Sequence, residues 1–502
     1  MNKKQIALIV LDGWGYREET KDNAIATAHK PNFDAIWDKY PHTLLEASGL
    51  KFGLPLGQMG NSELGHMTIG AGRILYQDLV RINKSISSGG FKDTPAFVEL
   101  FNHIKKNDST LHVGGLVSPG GVHSHMSHLF AFLQIAKEAG IKKIAIHVMT
   151  DGRDTPPQAG ASYIKELEDF IEKIGVGEIA SVSGRLYAMD RDGRLERLAK
   201  AEEVIFEGKG KECNIKPSLY VENLYKEGKM DEHLEPFICI NKEGSTYSLN
   251  KNDGFFLFNF RADRMRMITE SIMKKYKEEN VCLVTMTEYK KEYNCLVAFP
   301  PTKINETLGK TISENNMTQA HIAETEKFAH ATYFLNCGEE APYKGEKQIL
   351  VPSPKGVLTY DLAPKMSAEL VADKTIEQIE IGTDFIFVNF ANADMVGHTA
   401  DVPAIITAVE EVDKELGRIL EALKSKGGIA LVTADHGNAE INIDPITGVR
   451  HTSHTSDLVP FILTDTNRKL KDGGTLANIA ATVLELLELK KPDEMTGESL
   501  IN

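Results

Sequence analysis

Short apolar runs, rich in β-branched and aromatic residues, alternate along the chain with longer segments in which apolar residues return every three or four positions. The runs predict strands at 6–11, 111–117, 144–149, 179–182, 255–260, 385–390 and 429–433. The periodic segments predict helices at 127–139, 162–174, 403–424 and 476–487. Runs that are apolar throughout, instead of alternating with polar residues, suit strands covered on both faces. The fold class this implies is α/β, with two α/β domains built on largely parallel sheets. No fixed-period repeat or low-complexity tract breaks the pattern.

In open parallel sheets ligands bind beyond the carboxyl ends of the strands, so the residues that follow each run carry the chemistry. Asp12 follows the first run, Asn392, Asp394 and His398 follow 385–390, and Asp435, His436 and Asn438 follow 429–433. Carboxylate and imidazole are metal ligands. His123 follows 111–117, Asp151, Arg153 and Asp154 follow 144–149, Arg185 follows 179–182, and Arg261 and Arg264 follow 255–260. Guanidinium forks match phosphate and carboxylate, so this second set suits a small, doubly anionic ligand. The metal-type residues come from both ends of the chain and the arginines from its middle. A middle domain at 77–301 inserted into an outer one at 1–76 and 302–502 accounts for that order, with Pro300-Pro301 stiffening the return crossing. Eight of the 14 arginines lie between 153 and 266, where an even spread would put about three.

Each residue alone has a plainer reading. An Asp after a strand is commonly a turn former or helix cap, and a single His is commonly a satisfied polar residue. Ser62, in Gly60-Asn-Ser-Glu-Leu-Gly-His66, reads as an N-cap, and His66 reads as loop structure. Arg194, Arg197 and Arg266 read as a solvated charged face. The combination reads differently. Three strand ends closing on Asp, two of them with His, together with Arg450-His-Thr-Ser-His454, form a ligand set without sulfur that suits Mn²⁺, Zn²⁺ or Mg²⁺. A serine activated by such a cation is a workable nucleophile.

Composition narrows the class. The 502 residues are 42% apolar and 25% charged, with a formal net charge of −14. A globular protein of that charge repels nucleic acid and anionic lipid, so neither is an expected partner, and a bound phosphate must be held by a local cluster. Five dispersed cysteines without a C-x-x-C pair indicate no zinc knuckle or disulfide framework and point to the reducing cytoplasm. No apolar stretch approaches the roughly 18–20 residues of a membrane span, and the run at 6–11 is too short for a signal peptide.

The motifs taken together resemble those of the cofactor-independent phosphoglycerate mutases, within the alkaline-phosphatase-like superfamily. They are Leu11-Asp-Gly-Trp-Gly15, Gly60-Asn-Ser-Glu-Leu-Gly-His66, Gly120-Gly-Val-His-Ser-His125, Thr150-Asp-Gly-Arg-Asp-Thr155, Asn259-Phe-Arg-Ala-Asp-Arg264, Ala323-Glu-Thr-Glu-Lys-Phe-Ala-His330 and Thr433-Ala-Asp-His-Gly-Asn438. The resemblance implies two divalent metal ions, Mn²⁺ first, one held by Asp394, His398 and His454 and the other by Asp12, Ser62, Asp435 and His436. It implies an alkaline-phosphatase-like outer domain and a substrate grip made by His123, Arg153, Asp154, Arg185, Arg191, Arg261, Arg264 and Lys327. The implied reaction interconverts 3-phosphoglycerate and 2-phosphoglycerate through a phosphoserine on Ser62, without 2,3-bisphosphoglycerate, in a monomer. Asp154 is placed to shuttle the hydroxyl proton, and the two domains would close over the substrate to exclude water. A metal-dependent phosphomonoesterase of the same superfamily is the alternative. The sequence departs from the family at Cys337, where a glycine is usual, and at Asp457-Leu458 after the His454 segment, which leaves His451 as a rival to His454.

Overall fold

The computed structural model describes residues 4–502, so the first three residues of the expected outer domain lie outside the described residues. The chain divides into two compact units. One combines the segment up to Gln77 with Lys303–Asn502, and the other is Asp78–Thr302.

The first unit is built on a seven-stranded sheet in the order Glu346–Val351, Gln319–Glu324, Phe385–Phe390, Ile6–Leu11, Ile429–Thr433, Val459–Leu463, His42–Leu45. The first five strands are parallel, and Val459–Leu463 runs antiparallel to both its neighbours. Ile6–Leu11, Phe385–Phe390 and Ile429–Thr433 are buried along their whole length, as unbroken apolar runs require. The long helix Val402–Ser425 packs on Ala368–Glu380. It starts where Asp401 accepts the Ala404 amide at 3.1 Å, with a proline in the first turn, where no amide partner is lost. Register places the site: Leu11 lies beside Phe390 and Val10 beside Thr433, so the loops that open at Asp12, Ala391 and Ala434 leave the sheet along one edge.

The second unit has an eight-stranded sheet in the order Leu296–Phe299, Cys282–Thr287, Gly254–Leu257, Leu111–Leu116, Ile144–Thr150, Glu178–Gly184, Phe237–Cys239, Lys211–Cys213. All neighbours are parallel except Glu178–Gly184 with Phe237–Cys239. The strand expected over 255–260 ends at Leu257. Beyond it Asn259 Oδ1 accepts the Leu116 amide at 2.9 Å, and the Phe260 amide turns to His123 O at 2.9 Å. A side chain thus takes over the ladder, and the backbone is freed to carry Arg261 and Arg264 past the sheet edge. Gln319–Glu324 escaped the hydropathy reading because it holds Gln319 and His321, both buried. Gln319 Nε2 donates to Gly309 O at 2.8 Å, and its Oε1 faces His321 Nε2 at 3.2 Å. Among the described residues no helix is long and apolar enough to cross a membrane.

Candidate active site

In the first unit the helix Ser62–Ala71 is capped by Asn61, whose Oδ1 accepts the Leu64 amide at 2.9 Å. The capping role expected of Ser62 therefore belongs to its neighbour, and Ser62, at the first helical position, turns its hydroxyl elsewhere. Its Oγ lies 2.7 Å from Lys327 Nζ, 2.9 Å from His436 Nε2 and 3.4 Å from Asp12 Oδ1. Lys327 stands in the short helix Thr325–Ala329, directly after Gln319–Glu324, and also donates to Asp12 Oδ1 at 2.7 Å and Asp394 Oδ2 at 2.6 Å. The close approach of these strand ends needs Gly13, at φ 75°. A β-carbon there would come within 2.7 Å of the Asp394 backbone.

One ammonium here faces three buried carboxylates, Asp12, Asp394 and Asp435. Burial works against the Lys327 charge, yet Asp12, Asp394 and Asp435 together raise its pKa. Asp435 goes the other way: burial and the charge of Asp12 push its carboxyl well above the ordinary range. Among the described residues its Oδ2 has no hydrogen-bond partner, with His66 Nδ1 at 3.4 Å and His436 Nε2 at 3.5 Å. Surplus buried negative charge and an unpartnered carboxylate oxygen are what a divalent cation would neutralise. The imidazoles match. His398 Nδ1 engages Thr452 O at 2.8 Å and His454 Nδ1 engages Gly60 O at 2.9 Å. Both Nε2 atoms are thereby turned to Asp394 Oδ1, at 3.2 and 3.3 Å, and lie 3.3 Å apart. Burial lowers the His436 pKa to about 4, so its ring is neutral near pH 7.

Asp394, His398 and His454 converge tightly enough to hold an ion, as do Asp12, Asp394 and His436, and Asp12, His66 and Asp435. His454, and not His451, joins these groups. His66 corrects the reading of that residue as loop structure: it is fully buried on the helix Ser62–Ala71, with Nδ1 2.8 Å from Ser62 O. Two asparagines complete the carboxylate contacts. Asn389 Nδ2 donates to Asp12 Oδ2 at 2.8 Å, and Asn438 Nδ2 donates to Asp394 Oδ1 at 2.8 Å. Asn438 was visible as the close of a strand-end motif. Asn389, inside a strand, gave no signal.

The second unit gathers the arginines beyond its own sheet edge. Arg185, buried, holds Asp151 Oδ1 and Asp154 Oδ2 with one nitrogen, each at 2.6 Å. Asp151 is fixed in turn by Ser118 Oγ at 2.7 Å and the Asp154 amide at 3.0 Å. Arg153 reaches Glu232 at 3.6 Å. Arg191 and Arg261 each meet Asp263 at 3.1 Å. Arg264 Nη1 donates to Met189 O at 3.1 Å, and its buried Nε has no partner. Its pKa is lowered by burial and by repulsion from Arg185, Arg191 and Arg153, which records how closely the guanidiniums crowd. His123 lies 4.0 Å from Asp154 and 3.7 Å from Asp263, and burial together with Arg185 pushes its pKa down to about 4. Glu232 and Asp263 were not singled out in the sequence, although Asp263 stands within the Arg261–Arg264 motif. Lys327 belongs to the first unit, with the serine and carboxylates, and the arginine set belongs to the second.

The model of the metalloenzyme superfamily matches residues 4–491. The chain is 47% identical to the 2,3-bisphosphoglycerate-independent phosphoglycerate mutase of Clostridioides difficile (strain 630), with both chains covered in full. It is 48% identical to the protein of the same name from Clostridium botulinum (strain ATCC 19397 / Type A), again over both whole chains. Among solved structures, a Leishmania mexicana phosphoglycerate mutase, crystallised at low cobalt concentration, superposes with a TM-score of 0.54 at 28% identity, covering 100% of this chain and 98% of that one.

Proposed function

The chain belongs to the 2,3-bisphosphoglycerate-independent phosphoglycerate mutases, metalloenzymes that interconvert 3-phosphoglycerate and 2-phosphoglycerate, and from that premise we propose that it works through a phosphoserine on Ser62. The observation that carries this reading is the 2.7 Å contact between Lys327 Nζ and Ser62 Oγ inside a ring of carboxylates. An ammonium so placed stabilises the serine oxygen as its proton leaves and then faces the charge developing on the transferred phosphoryl group.

Divalent ions bound by Asp394, His398 and His454, and by Asp12, Ser62, Asp435 and His436, would supply Lewis-acid charge at the same place. The unpartnered Asp435 oxygen and the convergent imidazoles support that ligand set. We take Mn²⁺ as the resident ion on the family resemblance; the sulfur-free Asp/His set suits it, as it suits Zn²⁺ and Mg²⁺.

In this reading the two compact units are the metal and nucleophile domain and the inserted substrate-binding domain. Arg153, Arg185, Arg191, Arg261 and Arg264 hold the anionic ends of the substrate. Asp154, steadied by Arg185, gives a proton to the glycerate oxygen that leaves and takes one back from the hydroxyl that then attacks. The chain acts as a monomer on the family resemblance, and five free cysteines fit a reducing compartment such as the cytoplasm.

Incubation with phosphate-labelled 3-phosphoglycerate, followed by acid quench and peptide mass spectrometry, is expected to recover the phosphoryl group on Ser62. Ser62→Ala is expected to stay folded and to fall below about a hundredth of the parent rate. An unlabelled serine under turnover, or a folded Ser62→Ala enzyme with substantial activity, overturns the covalent reading.

A further inference from the structure

Asp263 is the point where three separate substrate-binding side chains meet. Its Oδ1 lies 3.1 Å from Arg261 Nε and 3.7 Å from His123 Nδ1, and its Oδ2 lies 3.1 Å from Arg191 Nη1. These partners come from three parts of the chain. Arg191 follows the short helix Arg185–Ala188, His123 follows Leu111–Leu116, and Arg261 stands two residues before Asp263. The backbone makes the same junction, because His123 O accepts the amides of Phe260 at 2.9 Å and Arg261 at 3.2 Å. Arg191 and Arg261 are each close to half exposed, at 46% and 49% of the side chain, and in open water such long side chains sample many rotamers. Arg191 Nη1 donates to the Asp263 carboxylate and Arg261 lies within ion-pair distance of it, so both guanidiniums are restrained before a ligand arrives. Arg185 has Asp151 and Asp154 for the same purpose. Burial works against the Asp263 charge, but Arg261, together with Arg191, holds its carboxyl below the ordinary range, so it is an anion near pH 7.

We propose that Asp263 is a positioning residue that fixes Arg191, Arg261 and His123 as one rigid grip on the glycerate released when the phosphoryl group moves to serine. The inference rests on the covalent reading above and adds what decides the fate of the intermediate. With the grip intact, the glycerate stays and its other hydroxyl attacks the phosphoserine phosphorus. The Ser62 oxygen–phosphorus bond breaks and the phosphoglycerate isomer forms. With the grip loosened, the glycerate leaves and water attacks instead. The same bond breaks, the serine oxygen regains a proton, and inorganic phosphate is released.

Asp263→Asn removes the charge at nearly constant volume. In the metal-loaded full chain it is expected to lower isomerisation about tenfold or more while raising inorganic phosphate released per isomerisation about tenfold. Asp263→Glu, which keeps the charge, is expected to recover part of both. Near-ultraviolet circular dichroism and Tm identify which variants remain folded. Should Asn not fold, Glu carries the test, because an extra methylene displaces the carboxylate and should still raise the ratio. A folded variant whose isomerisation and phosphate release fall in parallel, or whose ratio matches the parent's, overturns the positioning role. Absence of phosphoserine in the parent enzyme is a distinct result that removes the covalent reading and this inference with it. An unchanged ratio while phosphoserine still forms removes this inference alone.

Discussion

Arg264 differs from the other proposed substrate arginines in having, among the described residues, no carboxylate partner. Its planar head is held by one carbonyl, and its buried Nε has no partner. A guanidinium placed that way is open to a bidentate anion, a geometry that lysine cannot copy with a single point charge. Arg264→Lys is therefore expected to lower kcat/KM by about tenfold or more while Tm moves little, and steady-state kinetics beside a melting curve measure both. Unchanged kinetics would assign Arg264 to packing. The residues of the site differ in how visible they were beforehand. Asp12, Asp394, Asp435, His436, Arg185 and Arg261 stand within four residues of the ends of apolar runs, and their recurrence at one strand end after another is more than turn forming or capping requires. Lys327 sits in a five-residue helix and Asn389 inside a strand, and neither position has a pattern that separates a functional side chain from an ordinary one.

At the scale of elements, the loops that carry the proposed metal ligands are held in place by a residue that touches none of those ligands. Glu440 is fully buried and accepts the Gly15 amide at 3.1 Å and the Asn438 amide at 2.9 Å, and it also takes the Thr455 hydroxyl. It thus ties together the loops that carry Asp12, Asp435 with His436, and His454. Gly15 is required for this, since a β-carbon there would overlap the carboxylate at 2.2 Å. Burial raises the Glu440 pKa to about 7, although Thr455 and the backbone amides oppose the shift. A carboxyl raised in the folded state binds its proton more tightly there than in the unfolded chain. Its contribution to stability is full below about pH 4.5 and is lost as pH rises through about 7. Glu440→Gln imitates the protonated form and cannot titrate. The Tm difference between the metal-saturated variant and its parent is expected to shift in the variant's favour from pH 5 to pH 8. A difference that stays constant across that range would show that Glu440 keeps one protonation state throughout. No sequence pattern marks Glu440, because its role depends on three loops meeting, and the pairing of Ile429–Thr433 with Ile6–Leu11 on one side and Val459–Leu463 on the other brings them together.

For the molecule as a whole, the α/β class and most central strands were readable because a strand buried on both faces must be apolar throughout. The antiparallel Val459–Leu463 was not read, and Gln319–Glu324 was hidden by polar residues that satisfy one another inside the core. The apolar core of the first unit lies around Ile6–Leu11 and the helix Val402–Ser425, and the second unit has two apolar clusters, one with the helix Met126–Glu138 and one with the helix Leu195–Phe206. Around Ser62 three buried carboxylates, Asp12, Asp394 and Asp435, share one ammonium, whereas in the second unit Asp151, Asp154, Glu232 and Asp263 are each met by an arginine. Metal removal should consequently act on one core only. An ion that binds the folded state at a hundred times its Kd stabilises it by about 2.7 kcal/mol, and chelation withdraws that term while leaving Asp12, Asp394 and Asp435 to repel one another around a single lysine. Calorimetry is expected to show one transition whose Tm falls after chelator treatment and recovers with added Mn²⁺, and another that stays within a degree or so. Restoring Mg²⁺ or Zn²⁺ in place of Mn²⁺ ranks the ions by the recovery each produces, independently of turnover. Two transitions that fall together, or none that responds to metal, would mean that the carboxylate surplus is neutralised by something other than a bound divalent ion.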